Sequence, residues 1–143
     1  MTRSTHWQLS ARFMYDRTTR GIRIEVQPFY LEDQSTPDQG HFVWAYRVKI
    51  ENVGLEPVQL LNRYWKITDA FGRVKEVRGP GVVGEQPRLD PGEMFEYTSG
   101  TPLSTPSGIM AGTYEMATDD GDSFPVEVPA FSLDSPHEQS TLN

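Results

Sequence analysis

The stretch FVWAYRVKIEN, residues 42–52, decides the fold. Its even positions, Phe42, Trp44, Tyr46, Val48 and Ile50, are apolar, and its odd positions include Arg47, Lys49 and Glu51. A period of two is what a strand needs when one face meets a core and the other meets water. Upstream, IRIEVQPFYL alternates the same way through Ile22, Ile24 and Val26, and Pro28 marks an edge strand or a bulge. Downstream, VQLLNRYWKITD places Leu61, Trp65 and Ile67 on one face with Tyr64 and Lys66 opposite. Asp69-Ala70-Phe71-Gly72 makes a turn, and RVKEVR returns.

Three further strands follow in EMFEYTSG, IMAGTYEMAT and SFPVEVPAFSL, the last two separated by the turn residues Asp119-Asp120-Gly121-Asp122. No segment of useful length has helical periodicity. The fold class is therefore all-β, an antiparallel sandwich of immunoglobulin or fibronectin type III character with about seven strands. Trp44, Tyr46, Trp65, Phe95, Tyr97, Tyr114, Phe124 and Phe131 supply its aromatic core.

The 143 residues fit one domain. Residues 1–20 read as a basic, flexible N-terminal extension, 21–133 as the sandwich and 134–143 as a flexible tail. The chain has no cysteine, which removes disulfides, thiolate metal sites and a cysteine nucleophile and fits a cytoplasmic protein. No stretch approaches the roughly 18 apolar residues of a membrane span, and the first twenty residues lack the apolar run of a signal peptide.

The net charge of -7 is unevenly spread. From Arg47 to Arg88 there are eight basic residues against five acidic ones, and after Arg88 ten carboxylates follow with no Lys or Arg. An acidic domain is a poor partner for nucleic acid, whose binding depends on phosphate neutralisation.

Residues 78–87, RGPGVVGEQP, carry Gly79, Gly81 and Gly84 in the Gly-x-Gly-x-x-Gly spacing of dinucleotide-binding folds. That fingerprint works when it leads from a strand into a helix N-terminus. Here Pro87 and then Pro91-Gly92 follow, and they do not start a helix. A weaker alternative is a nest of backbone amides that holds a phosphate or pyrophosphate, with positive charge from Arg78 and from Lys75 or Arg73. The plainer alternative is a bend, and a third is a protein-recognition loop formed by Arg78, Gly79, Gly81, Gly84, Glu85 and Gln86. Tyr64, flanked by Arg63 and Lys66, is an aromatic among cations and a candidate anchor for a protein partner.

Catalytic and metal sets are thin. His41 is the one histidine within the strand region, no serine sits in a nucleophile elbow, and Asp119, Asp120 and Asp122 lack the loop length of a calcium motif. No catalytic residue, metal ligand set or cofactor motif is assigned, and the chain is expected not to be an enzyme. Exposed edge strands leave a homodimer open, with Pro28 as the one visible blocker.

From about Thr19 to Ser135 the chain resembles the bacterial ApaG family, whose domain also occurs in some eukaryotic F-box proteins. The match runs through TRGIRIEVQPFYL, WAYRVKIEN, PVQLLNRYWKITDAFGRVKEVRGPGVVGEQP, PGEMFEYTSGTPLSTPSGIMAGTYEM and PAFSL. The resemblance implies a fibronectin type III-like sandwich, a role in protein–protein contact, and a link to cobalt resistance and magnesium efflux. The family loop is matched in full by Gly79, Gly81, Val82, Val83, Gly84, Glu85, Gln86 and Pro87. Two positions depart from it: Tyr64-Trp65 stands where the family often has His-Trp, and Ser99-Gly100-Thr101 where it often has Ser-Gly-Cys. A metal role resting on that His or Cys has no counterpart here. Family proteins commonly begin shortly before the Thr-Arg-Gly segment, so residues 1–13 are expected to be an upstream extension.

Overall fold

A computed structural model describes residues 15–138. They form nine strands: β1 (Tyr15–Thr19), β2 (Ile22–Tyr30), β3 (Phe42–Asn52), β4 (Val58–Asp69), β5 (Val74–Pro80), β6 (Arg88–Leu89), β7 (Met94–Leu103), β8 (Gly108–Thr118) and β9 (Ser123–Leu133). Two antiparallel sheets result, in the orders β1-β2-β3-β7 and β5-β4-β8-β9, with β6 also paired to β4. The molecule is the expected all-β sandwich, with short 3-10 turns at Glu32–Gln34 and Pro37–Gln39 between β2 and β3.

The alternation of β3 is realised without a fault. Phe42, Trp44, Tyr46, Val48 and Ile50 are buried, and the residues between them are half-buried. The facing sheet contributes Leu60, Trp65, Ile67, Met110, Tyr114, Met116, Val126 and Phe131. Trp65 is the hub, with ring centroids 5.5 Å from Tyr46, 6.1 Å from Tyr114 and 6.1 Å from Phe131. All three contacts are edge-on, the arrangement the ring quadrupole favours. Phe95 is the one expected core aromatic that is only partly buried.

β4 departs from its sequence pattern. The register against β8 shifts between Leu60 and Asn62, so Leu61 is the extra residue of a bulge. Leu60, not Leu61, is therefore buried beside Val58, and beyond the bulge the inward parity passes to Arg63, Trp65 and Ile67.

The boundaries also differ from the sequence expectation. Tyr15–Thr19 pair in register with Ile22–Val26 as β1. Their exposed, polar pattern gave no hydrophobic period to detect. Pro28 lies beyond the β1 pairing and opposite Tyr46 of β3, so it sits where β2 has an edge among the described residues. At the other end, Trp44 Nε1 donates to the Asp134 carbonyl at 2.8 Å and Ser135 Oγ to the Pro106 carbonyl at 2.7 Å. These bonds tie the start of the expected tail to the sandwich. The rest of the expected leader and tail, residues 1–14 and 139–143, lies outside the described residues.

Candidate functional site

The glycine-rich segment is a detour in an edge strand. β5 pairs with Asn62–Thr68 of β4, and β6 pairs with Val58 and Gln59 on that same strand. Between them the chain leaves β4 at its bulge, where the Leu61 carbonyl accepts from the Gly81 amide at 2.9 Å and from Gln86 Nε2 at 2.9 Å. The excursion closes on itself: the Val82 amide donates to the Glu85 carbonyl at 2.8 Å and the Glu85 amide to the Val82 carbonyl at 2.9 Å. The two residues at the tip, Val83 and Gly84, have φ of 43° and 82°, the positive pair of a primed hairpin turn. Gly81 is obligatory: its φ is +62°, and a Cβ there would stand 2.3 Å from the Glu85 carbonyl oxygen.

Gly79 has a different reason. The Arg63 guanidinium lies across it, so close that a Cβ would sit 3.0 Å from Nη2. Nη1 of Arg63 donates to the Pro80 carbonyl at 2.9 Å and the Gly81 carbonyl at 3.0 Å. Arg63 thus fastens the start of the excursion from the inside. Three loop amides that a phosphate nest would draw on, those of Gly81, Val82 and Glu85, are engaged within the fold.

Alternation splits the cluster Arg63-Tyr64-Lys66 between two sides. Tyr64 and Lys66 point outward, opposite Arg78 and Glu76 of β5, while Arg63 turns in beside Trp65, a departure from the expected shared surface. On the outside, the Arg78 guanidinium rests 4.5 Å from the Tyr64 ring centroid, a cation–π contact, and the Tyr64 hydroxyl donates to Glu76 at 3.0 Å. The hydrogen bond to Glu76 holds the Tyr64 phenol above its ordinary value. Tyr64, Arg78, Thr113 and Glu115 border a groove of about 470 Å³ on this face, and Arg63 and Gly79 also reach its border.

On the inside, a second cavity of about 290 Å³ opens between the sheets beneath the tip of the excursion. Arg63 and Trp65 come to it from one sheet, Tyr46, Ser99 and Thr101 from the other, and Val83 stands at its edge. The sequence pointed to the loop and missed this cavity. The usable signal was parity, since Arg63 shares the odd positions of Trp65 and Ile67. Glu85 is exposed, and Gln86 commits its side chain to Leu61.

The other candidates are accounted for structurally. His41 is exposed, and its backbone pairs with Thr36. Asp119 accepts from Arg88 at 2.8 Å, and Asp122 lies 3.6 Å from Arg20. Among the described residues no group of three or more His, Cys, Asp or Glu is placed to hold a metal ion. No described helix is long and apolar enough to cross a membrane.

The comparisons with known proteins agree with one another. The ApaG domain model matches residues 32–118. Protein ApaG of Paramagnetospirillum magneticum is 67% identical over 130 residues, covering 91% of this chain and 100% of that protein. Protein ApaG of Brucella anthropi is 58% identical over the same length and shares of coverage. A crystal structure of an ApaA protein from Bordetella pertussis superposes with a TM-score of 0.79 at 46% identity, over 88% of this chain and 99% of that one.

Proposed function

The chain belongs to the ApaG domain family, and from that premise we propose that it is a non-enzymatic protein-interaction module whose working surface is the outer β4–β5 face. The observation that carries this reading is the free edge of β5. Among the described residues β5 pairs on one side alone, with β4, and that edge borders the Tyr64–Arg78 groove. An extended segment of a partner protein can add to such an edge through main-chain hydrogen bonds. Its side chains then lie over Tyr64, with Arg78 and Lys66 as charged neighbours. An aromatic ring stacked under a guanidinium offers apolar area and charge together, as interface anchors do.

In this reading the module works in the cytoplasm, and the cobalt and magnesium link implied by the family runs through the partner. The phosphate alternative for the Gly79–Gly84 loop draws less support, because the Gly81, Val82 and Glu85 amides already have acceptors. The test is retention of cytosolic proteins on the immobilised chain, compared across variants. Tyr64→Ala and Arg78→Glu are expected to lose, by about tenfold or more, proteins that wild type and a Lys49→Ala control on the opposite sheet retain. Equal retention by all four proteins would refute the assignment.

A further inference from the structure

Among the described residues Arg63 is the one charged side chain that lines the inter-sheet cavity. Arg63 is only partly exposed, and among the described residues its hydrogen-bond partners are the Pro80 and Gly81 carbonyls, reached through Nη1. No carboxylate among the described residues pairs with it, and none lines the cavity. The guanidinium is half-buried, and its Nε and Nη2, which have no acceptor among the described residues, can donate to water or to a ligand. Across the cavity stand hydroxyl groups of Tyr46, Ser99 and Thr101, from strands of the other sheet. Burial keeps the Tyr46 phenol above its ordinary value against the opposing effects of its hydrogen bond with Ser99 and of the Arg63 charge, so a ligand there would meet a Tyr46–Ser99 pair already bonded to each other.

Trp65, Ile67, Val77 and Met110 give the wall its apolar part, beside Tyr97, whose hydroxyl is bonded to Tyr114. The donors select an anion, and one cation selects a single negative charge. At about 30 Å³ per water in the liquid, the volume of about 290 Å³ corresponds to roughly ten waters, the size of a compact organic acid.

Val83 supplies an independent observation. It has φ of +43°, where β-branched residues are genuine outliers, and it is 55% exposed at the cavity edge. A glycine or asparagine would turn the tip without strain. A strained apolar side chain held over a cavity is the kind of outlier that points to a ligand contact.

We propose that the inter-sheet cavity binds a small organic monocarboxylate, its carboxylate on Arg63 and the facing hydroxyls, its apolar body between Trp65 and Val83. The cavity opens between the sheets and shares Arg63 with the border of the outer groove, while Tyr46, Ser99, Thr101 and Val83 line the cavity and not the groove.

The experiment is an amide NMR titration of the full chain with benzoate and, separately, with inorganic phosphate. Benzoate is expected to give saturable shifts at Val83, Gly84, Ser99 and Thr101, with Arg78 and Tyr64 unmoved. Thr101→Val, which leaves the loop untouched, and Arg63→Gln should each weaken benzoate, Arg63→Gln by about tenfold or more. Val83→Asn should raise the melting temperature while weakening benzoate, a combination that loss of folding cannot produce. Saturable shifts with phosphate but not benzoate would overturn the monocarboxylate assignment. Absence of localised shifts with either probe, or unchanged benzoate affinity in Thr101→Val and Val83→Asn, would overturn the site itself.

Discussion

Arg63 and Tyr64 are neighbours in sequence and occupy different worlds. Tyr64 lies on an outer face where Arg78 pairs with Glu76 and the exposed Lys66 stands opposite Glu76 in the strand register. Arg63 turns between the sheets towards hydroxyls and rings, and among the described residues its acceptors are backbone carbonyls. The pleat alone makes the difference, because successive side chains of a strand leave opposite faces. A basic-aromatic cluster in a strand sequence is therefore two half-clusters. The outer one suits a macromolecule that can cover it, and the inner one suits a ligand small enough to enter.

The sharpest way to break this contrast is to empty each side in turn. Trp65→Ala removes the inner hub and should destabilise the fold by about 3–5 kcal/mol in urea unfolding. Tyr64→Ala should change stability by about 0.5 kcal/mol or less. Comparable losses would show that Tyr64 serves the core and would withdraw it as a binding anchor.

A second probe asks how strictly the interior demands paired polar groups. The hydroxyls of Tyr97 and Tyr114 bond to each other at 2.5 Å inside the sandwich. Tyr97→Phe strands the Tyr114 hydroxyl and should cost about 1–3 kcal/mol, whereas Tyr97→Phe/Tyr114→Phe should cost less than the sum of the two single changes. Burial raises both phenols above their ordinary value. Their stabilisation is therefore complete below about pH 10 and is lost as pH rises towards the folded values. Double-mutant stability measured at neutral pH, and alkaline unfolding of wild type against the double variant, check both statements.

The smallest effect belongs to the outer side. Asp69 ends β4 and organises the turn that brings Arg78 opposite Tyr64. Its Oδ1 accepts from the amides of Phe71 and Arg73, each at 2.9 Å, and its Oδ2 from Arg73 Nε at 2.7 Å. Burial acts to raise its pKa, but the hydrogen bonds from Arg73 and Phe71 prevail and hold it below the ordinary value. Its contribution is thus present above about pH 3.9 and lost as pH falls through the lowered folded value. The melting-temperature gap between wild type and Asp69→Asn should be steady from neutral pH down to about pH 5 and close below about pH 4.

Much of the sandwich was legible. β3 could be read residue by residue because both its faces have definite environments, and the aromatic core followed from the same parity. β1 was not legible, since an exposed strand stabilised by main-chain pairing leaves no apolar period. Nor was the bulge at Leu61: two adjacent leucines fit either register, and the choice is made by β8 and by the chain hanging on the Leu61 carbonyl. The glycine spacing of residues 79–84 was visible, but its causes lie elsewhere. Gly79 answers to a guanidinium sixteen residues earlier and Gly81 to a carbonyl four residues later. The inner cavity depends on the register of Tyr46 against Ser99 and of Trp44 against Thr101, a long-range pairing that no local pattern announces.

The detour between β5 and β6 has one more consequence, for lateral growth. An uninterrupted edge along β4 would offer a template on which identical chains add one after another into fibres. Here the edge is cut: Pro80 has no N–H to donate, and the next residues swing out and fold back before β6 resumes. A copy of the chain that began to zip along β5 would run out of ladder within its seven residues. The excursion with the nucleotide-like glycine spacing thus limits the unbroken ladder on this edge to the seven residues of β5.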